Sequence, residues 1–271
     1  MPLQLPRVFG PFRIAAFAAL LAIGSVVQAA EPTGPKPADL RVLFLGNSQI
    51  FYNELPRSVE ALSESAAEDR PRIKASQFVA GGASLESLWE AGTAEGKPQA
   101  LIASEKWDFV IVQEIYTHYA KPEAFEKYAT LFDELIRKSG SRMVLFCTAS
   151  VNDLYPDGFN KLHDMQVALG KKLDVPVVAA GNTWLEYWGD NPSLEERLSL
   201  YHADQAHPGV KGSYIYACSL YAVLTGKSPA GLTNRVPKQP ADAITPDEAK
   251  RFQEAAWKVH QEINQHAAVR P

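Results

Sequence analysis

The stretch RVLFLGNS, residues 41–48, decides how the rest of the chain is read. Arg41 to Gly46 is almost wholly apolar and ends at a glycine, the pattern of a parallel strand buried on both faces. Asn47 and Ser48 then form a short polar turn. A serine on a tight strand-to-helix turn can present its hydroxyl to solvent while its amide points into a crevice, the geometry of an acyl-transfer nucleophile. The same position suits a helix N-cap, a commoner use of serine. It is not a Gly-x-Ser-x-Gly elbow, because Ile50 stands where the second glycine would be.

Working outward, the chain alternates helix-like and strand-like segments. A helix is expected over Leu55 to Ala67 and a second strand over Ile73 to Ala80. A loosely helical connection from Leu85 to Leu101 leads to a third strand, Trp107 to Gln113. Phe125, Tyr128, Phe132 and Leu135 recur at steps of three and four, which predicts a helix stopped at Gly140. Strands at Met143 to Thr148 and Val175 to Ala180 flank a helix from about Asn160 to Leu173. Gly209 to Leu224 reads as a helix closed by Gly226. The last helix opens on the capping box Thr245-Pro246-Asp247-Glu248, with an apolar stripe at Ala249, Phe252, Ala256, Val259 and Ile263. Five strands alternating with helices predict an α/β fold: a single doubly wound domain, its sheet mainly parallel and covered by helices on both faces.

Composition bounds the function. Of 271 residues, 46% are hydrophobic and 21% charged, as in an ordinary globular protein. Lys and Arg total 27 against 31 Asp and Glu, a formal charge of −4, so no basic excess exists to neutralise nucleic-acid phosphates. Two cysteines cannot make a disulfide framework, and Cys147 in a strand and Cys218 in a helix read as buried free thiols. At the N-terminus, Arg7 and Arg13 precede the apolar run Ile14 to Ile23 and then Val27-Gln28-Ala29, the order of a secretory signal peptide. The expected organisation is a signal peptide over residues 1–29, a short leader over 30–39 and one domain over 40–271. Cleavage after Ala29 would move the charge to −6; an uncleaved anchor helix is the alternative. No later stretch is apolar and long enough to span a membrane, so a soluble secreted or periplasmic product is expected.

The second informative stretch is Tyr201-His202-Ala203-Asp204-Gln205-Ala206-His207-Pro208-Gly209. A carboxylate three residues before a histidine on one turn can accept the imidazole's hydrogen bond and fix the tautomer whose other nitrogen is a base. The alternatives are a capping Asp beside a surface His, or a metal site using His202, Asp204 and His207. No further carboxylate or cysteine cluster completes such a site, so no metal and no cofactor is expected.

Taken together, strand-Gly46-Asn47-Ser48 and Asp204-x-x-His207-Pro208 resemble the SGNH (GDSL-type) hydrolase family over about Arg41 to Leu224. The resemblance implies Ser48 as nucleophile, Asp204 and His207 as its partners, and Gly82 of Gly81-Gly82-Ala83-Ser84 as an oxyanion amide. The family usually has Gly-x-Asn-Asp after the third strand, whereas this chain has Val112-Gln113-Glu114. Some carbohydrate O-acetylesterase branches carry a Gln-containing block, which points to Gln113 as the side-chain oxyanion donor, with Glu114 orienting it or solvated. Val151-Asn152-Asp153 is the other candidate for that block, out of order. The implied activity is a serine esterase acting on a small-molecule or glycan ester; a longer-chain lipase and a non-catalytic glycan- or lipid-binding protein are the rivals. Trp184, Tyr187 and Trp188 read either as a sugar platform or as core. Tyr116 and His118 are candidates for the pocket wall, and His163, His260 and His266 are expected to be solvated.

Overall fold

In the computed structural model, which describes residues 37–117 and 121–264, strands and helices alternate. The strands are β1 (Leu40–Gly46), β2 (Ile73–Val79), β3 (Phe109–Gln113), β4 (Arg142–Cys147) and β5 (Val177–Ala179). All neighbours pair parallel, in the order β2-β1-β3-β4-β5. The helices before β3 are α1 (Ser48–Phe51), α2 (Leu55–Ser65), α3 (Leu85–Glu90) and α4 (Pro98–Ser104). Then come α5 (Pro122–Lys138), α6 (Asp157–Leu173), α7 (Ala180–Trp188), α8 (Leu194–Leu198), α9 (Val210–Thr225) and α10 (Pro246–Ile263). From β1 the chain moves outward to β2, then crosses back to β3. A doubly wound sheet opens its crevice at that reversal, beyond the ends of β1 and β3.

β1, β3, β4 and β5 are buried on both faces because they are apolar at nearly every position, whereas β2 at the edge of the sheet is mostly half-buried or exposed. Val42, Phe44, Phe109, Ile111, Val144, Phe146 and Val178 face one layer, with α2, α9 and α10 packed on them. Leu43, Leu45, Val110, Val112, Met143, Leu145 and Val177 face the other, against α3, α4, α5 and α6. Every residue of α9 from Gly212 to Leu224 is buried. At the β5 edge the Asn264 side-chain amide donates to and accepts from the Val177 backbone at 3.0 Å each, pairing the first residue of that strand.

Two local expectations change, and one pair of alternatives is decided. The connection over 85–101 divides into α3 and α4, because Gly92 and Gly96 between them take φ of +86° and +75°. β5 covers only Val177–Ala179, and Ala180 already belongs to α7. Trp184 is core rather than platform: it is wholly buried, its ring stacks on Tyr216 at 5.3 Å, and its indole N–H donates to the Gly212 carbonyl at 3.3 Å. Tyr187 and Trp188 pack partly buried against the same cluster.

Cys147 and Cys218 are buried and unpaired, and burial pushes the Cys147 thiol up to about 12. Among the described residues no helix is long and apolar enough to cross a membrane. The segment read as signal peptide, and His118 and His266, lie outside the described residues.

The entry of α9 is closely packed. A Cβ on Gly212 would lie 2.3 Å from the Leu200 carbonyl oxygen and from the Trp184 ring. Gly212→Ala is therefore expected to destabilise the protein by about 1–3 kcal/mol, the usual cost of overpacking, measured as a lower urea midpoint.

Candidate active site

The nucleophile turn is built by two backbone-directed side chains, Asn47 and Gln113. Asn47, in extended conformation, caps α1 by accepting the Gln49 N–H at 3.1 Å. Its side-chain amide donates to the Ala83 carbonyl at 2.9 Å, and its own N–H donates to Gln113 Oε1 at 3.0 Å. A Cβ on Gly46 would sit 2.6 Å from both Gln113 Oε1 and Ile50 Cδ1, so only glycine lets β1 approach β3 here. Ser48 is the first residue of α1. The opening amides of a helix, the Ser48 N–H among them, have no intrahelical acceptor.

A second turn follows β2. The Ala80 N–H donates to the Gly46 carbonyl at 3.1 Å, and the Ala83 N–H to the Ala80 carbonyl at 3.1 Å. With the bond from Asn47 to Ala83, this pins the turn beside the nucleophile. Gly82 is exposed at its apex with φ of +69°, a conformation glycine adopts without strain.

The third element is the loop between α8 and α9. An antiparallel bridge between Tyr201 and Pro208 closes it, and the His202 N–H donates to the His207 carbonyl at 2.8 Å. Inside, Asp204 Oδ1 accepts the Ala206 and His207 N–H groups at 2.9 Å each. Its Oδ2 lies 2.8 Å from His207 Nδ1, and His207 Nε2 lies 2.8 Å from Ser48 Oγ. A carboxylate only accepts, so Nδ1 carries the proton and Nε2 accepts from the serine hydroxyl. Partial burial works to raise the Asp204 pKa. The His207 and Ala206 amides and the imidazoles of His207 and His202 outweigh it and hold the carboxyl far below the usual range. His202 Nδ1 shares Oδ2 at 3.1 Å. Such a chain can take up the Ser48 proton as the oxygen attacks a carbonyl.

The structure thus brings Ser48, Asp204 and His207 together and sets Gly82 in the adjoining turn. Gln113 it places differently: the residue is wholly buried, with Oε1 on the Asn47 amide and Nε2 donating to the Glu114 carbonyl at 2.5 Å. Its carboxamide braces the nucleophile turn from beneath. Glu114 is buried too, accepting the Leu85 and Ile115 N–H groups at 3.2 and 2.7 Å. Asn152 reaches the histidine loop from another direction. Its N–H donates to the Gln205 carbonyl at 3.0 Å, and its side-chain amide to Gln205 Oε1 at 3.1 Å. Tyr116 packs partly buried against the α5-side core. His163 and His260, expected in solvent, are half-buried, and burial lowers the pKa of both. Among the described residues no group of three or more His, Cys, Asp or Glu is placed to hold a metal ion.

Three residues that the pattern did not single out complete the site. Gln49 donates to the Ala206 carbonyl at 2.9 Å, and Asn53 to the Pro208 carbonyl at 3.0 Å, so His207 is tied on both sides. Tyr52 lies flat on the His207 ring, centroids 4.1 Å apart and planes 4° apart. Their sequence signal was closeness to Ser48 alone.

The buried bracing by Gln113 is testable. Gln113→Leu removes the acceptor of the buried Asn47 N–H and is expected to lower stability by about 1–3 kcal/mol, read by urea denaturation. A donor facing an open crevice would leave the urea midpoint unchanged.

No protein-family model and no curated protein matches the sequence. Solved structures do. A protein from Slackia heliotrinireducens assigned as an SGNH hydrolase is 23% identical, covering 68% of this chain and 97% of its own, at a TM-score of 0.56. A DUF4886-family protein from Bacteroides uniformis is 19% identical over 82% of this chain and 95% of its own, TM-score 0.59. The acetyl xylan esterase AlAXEase is 15% identical over 68% of this chain and 100% of its own, TM-score 0.51. At these identities the likeness is one of fold: the chain shares the fold of a protein assigned as an SGNH hydrolase.

Proposed function

We propose that the protein is a serine ester hydrolase with Ser48 as nucleophile, His207 as general base and Asp204 as the group that orients it. The observation that carries this reading is the continuous chain Ser48 Oγ, His207 Nε2, His207 Nδ1, Asp204 Oδ2, with both links at 2.8 Å. His207 takes the Ser48 proton while Oγ attacks the ester carbonyl. The Ser48 and Gly82 amides hold the oxyanion, each donor contributing about 3–4 kcal/mol in the transition state. His207 then gives the proton to the departing alcohol, and water releases the acyl group from Ser48 by the same steps in reverse roles.

The substrate we favour is a short acyl ester on a carbohydrate. In support, the His207 and Asp204 side chains are 26% and 38% exposed, so the chain opens at the surface. Among the described residues the large exposed apolar side chains are Phe51 and Leu194. That is less than the contiguous apolar patch an interfacial lipase presents. One fold neighbour is an acetyl xylan esterase.

The purified protein is expected to react with a fluorophosphonate probe and to hydrolyse p-nitrophenyl acetate faster than the octanoate. Ser48→Ala should lose both activities. Probe labelling of the mutant equal to wild type, or an unreactive wild type, would sink the assignment and favour a binding protein. Residues 1–29 we read as an export signal, so N-terminal sequencing of protein from the extracytoplasmic fraction should begin at Ala30; an intact Met1 there overturns it.

A further inference from the structure

Besides the contacts within its own loop, His207 is constrained from the nucleophile segment. Ser48 meets its Nε2, Gln49 holds the carbonyl before it, and Asn53 holds the carbonyl after it and also donates to Ser213 Oγ at 2.9 Å. Asn53 and Glu54 both stand in the left-handed region, with φ of +51° and +54°. Two consecutive non-glycine residues there are strained, and they persist only where surrounding contacts require them. What this backbone achieves is to turn the Tyr52 ring over the imidazole.

The stack is nearly parallel, at 4.1 Å and 4°. Among the described hydrogen bonds none uses the Tyr52 hydroxyl, so its ring rather than its oxygen makes the contact. An aromatic face attracts a cation more than a neutral ring. The Tyr52 face therefore lies where the positive charge that forms on His207 during proton transfer would meet it. The polar groups around His207 are Ser48 and Asp204 in its plane and His202, which shares Asp204 Oδ2 and meets Tyr52 edge-on at 5.5 Å.

We infer that Tyr52 is a positioning residue for His207: its ring holds the base in line between Ser48 and Asp204 and stabilises the imidazolium formed when Ser48 gives up its proton. This rests on the esterase reading for its kinetic effect, though not for its geometry. With p-nitrophenyl acetate, Tyr52→Leu is expected to lower kcat about tenfold with KM little changed. Tyr52→Phe, which keeps the ring, should stay within about twofold of wild type. The hydrogen-bonded His207 Nδ1–H gives an independent readout as a far-downfield proton resonance, assigned by its persistence in His202→Gln. It should be present in wild type and Tyr52→Phe and be lost or shifted in Tyr52→Leu. Wild-type kcat in Tyr52→Leu, or a loss in Tyr52→Phe equal to that in Tyr52→Leu, overturns the assignment. Should wild type turn over no ester, the esterase reading fails alone. The resonance then decides: unchanged in a folded Tyr52→Leu, it overturns the role of Tyr52.

Discussion

Ser48 and His207 are 159 residues apart in sequence, and their hydrogen bond of 2.8 Å demands that two loops be held to a fraction of an ångström. Neither loop could hold itself. The nucleophile turn is anchored below by the buried Gln113 carboxamide and sideways by the bond from Asn47 to Ala83. The histidine loop is closed on itself by the Tyr201–Pro208 bridge and then tied to α1 through Gln49 and to the turn after α1 through Asn53. The site is thus a set of polar ties laid across the open end of an apolar sheet. A buried polar group left unpartnered costs about 1–3 kcal/mol, so each tie also selects against the alternative loop conformations.

Asn47 illustrates why residue type matters at such a tie. Its side-chain oxygen caps α1 while its nitrogen donates to the Ala83 carbonyl. Aspartate would supply the cap but not the donor, and would set a carboxylate against a carbonyl. Gly46 is constrained by space alone, since any Cβ would strike Gln113. Strain enters at Asn53 and Glu54, and it is held by a hydrogen-bonded asparagine where the chain must turn from α1 into α2 over the imidazole.

Much of the architecture could be read from pattern. The apolar strands, the steps of three and four in α5, and the Thr245 capping box of α10 are local signals, and local signals survive into the fold. The alternation also implied the parallel sheet and so the place of the crevice. Where the sequence left a role open, burial decided it. Trp184 at helical spacing looks alike in a platform and in a core, and only contact with Tyr216 and Gly212 separates them. Gln113 was correctly placed at the end of β3, yet its amide turns inward because the Asn47 N–H would otherwise be buried without an acceptor.

By itself the sequence determined the alternation of elements, the serine turn after β1 and the Asp-x-x-His loop, because each is written in residues close together along the chain. The tertiary structure alone decided that Ser48 meets His207, that Gln113 serves as a buried brace, and that Tyr52 covers the imidazole. Those contacts join segments brought together by the β2-β1-β3 crossover and the return of α9 along the sheet. Their partners are set by packing and by the need to satisfy every buried polar group, and neither can be summed from local preference.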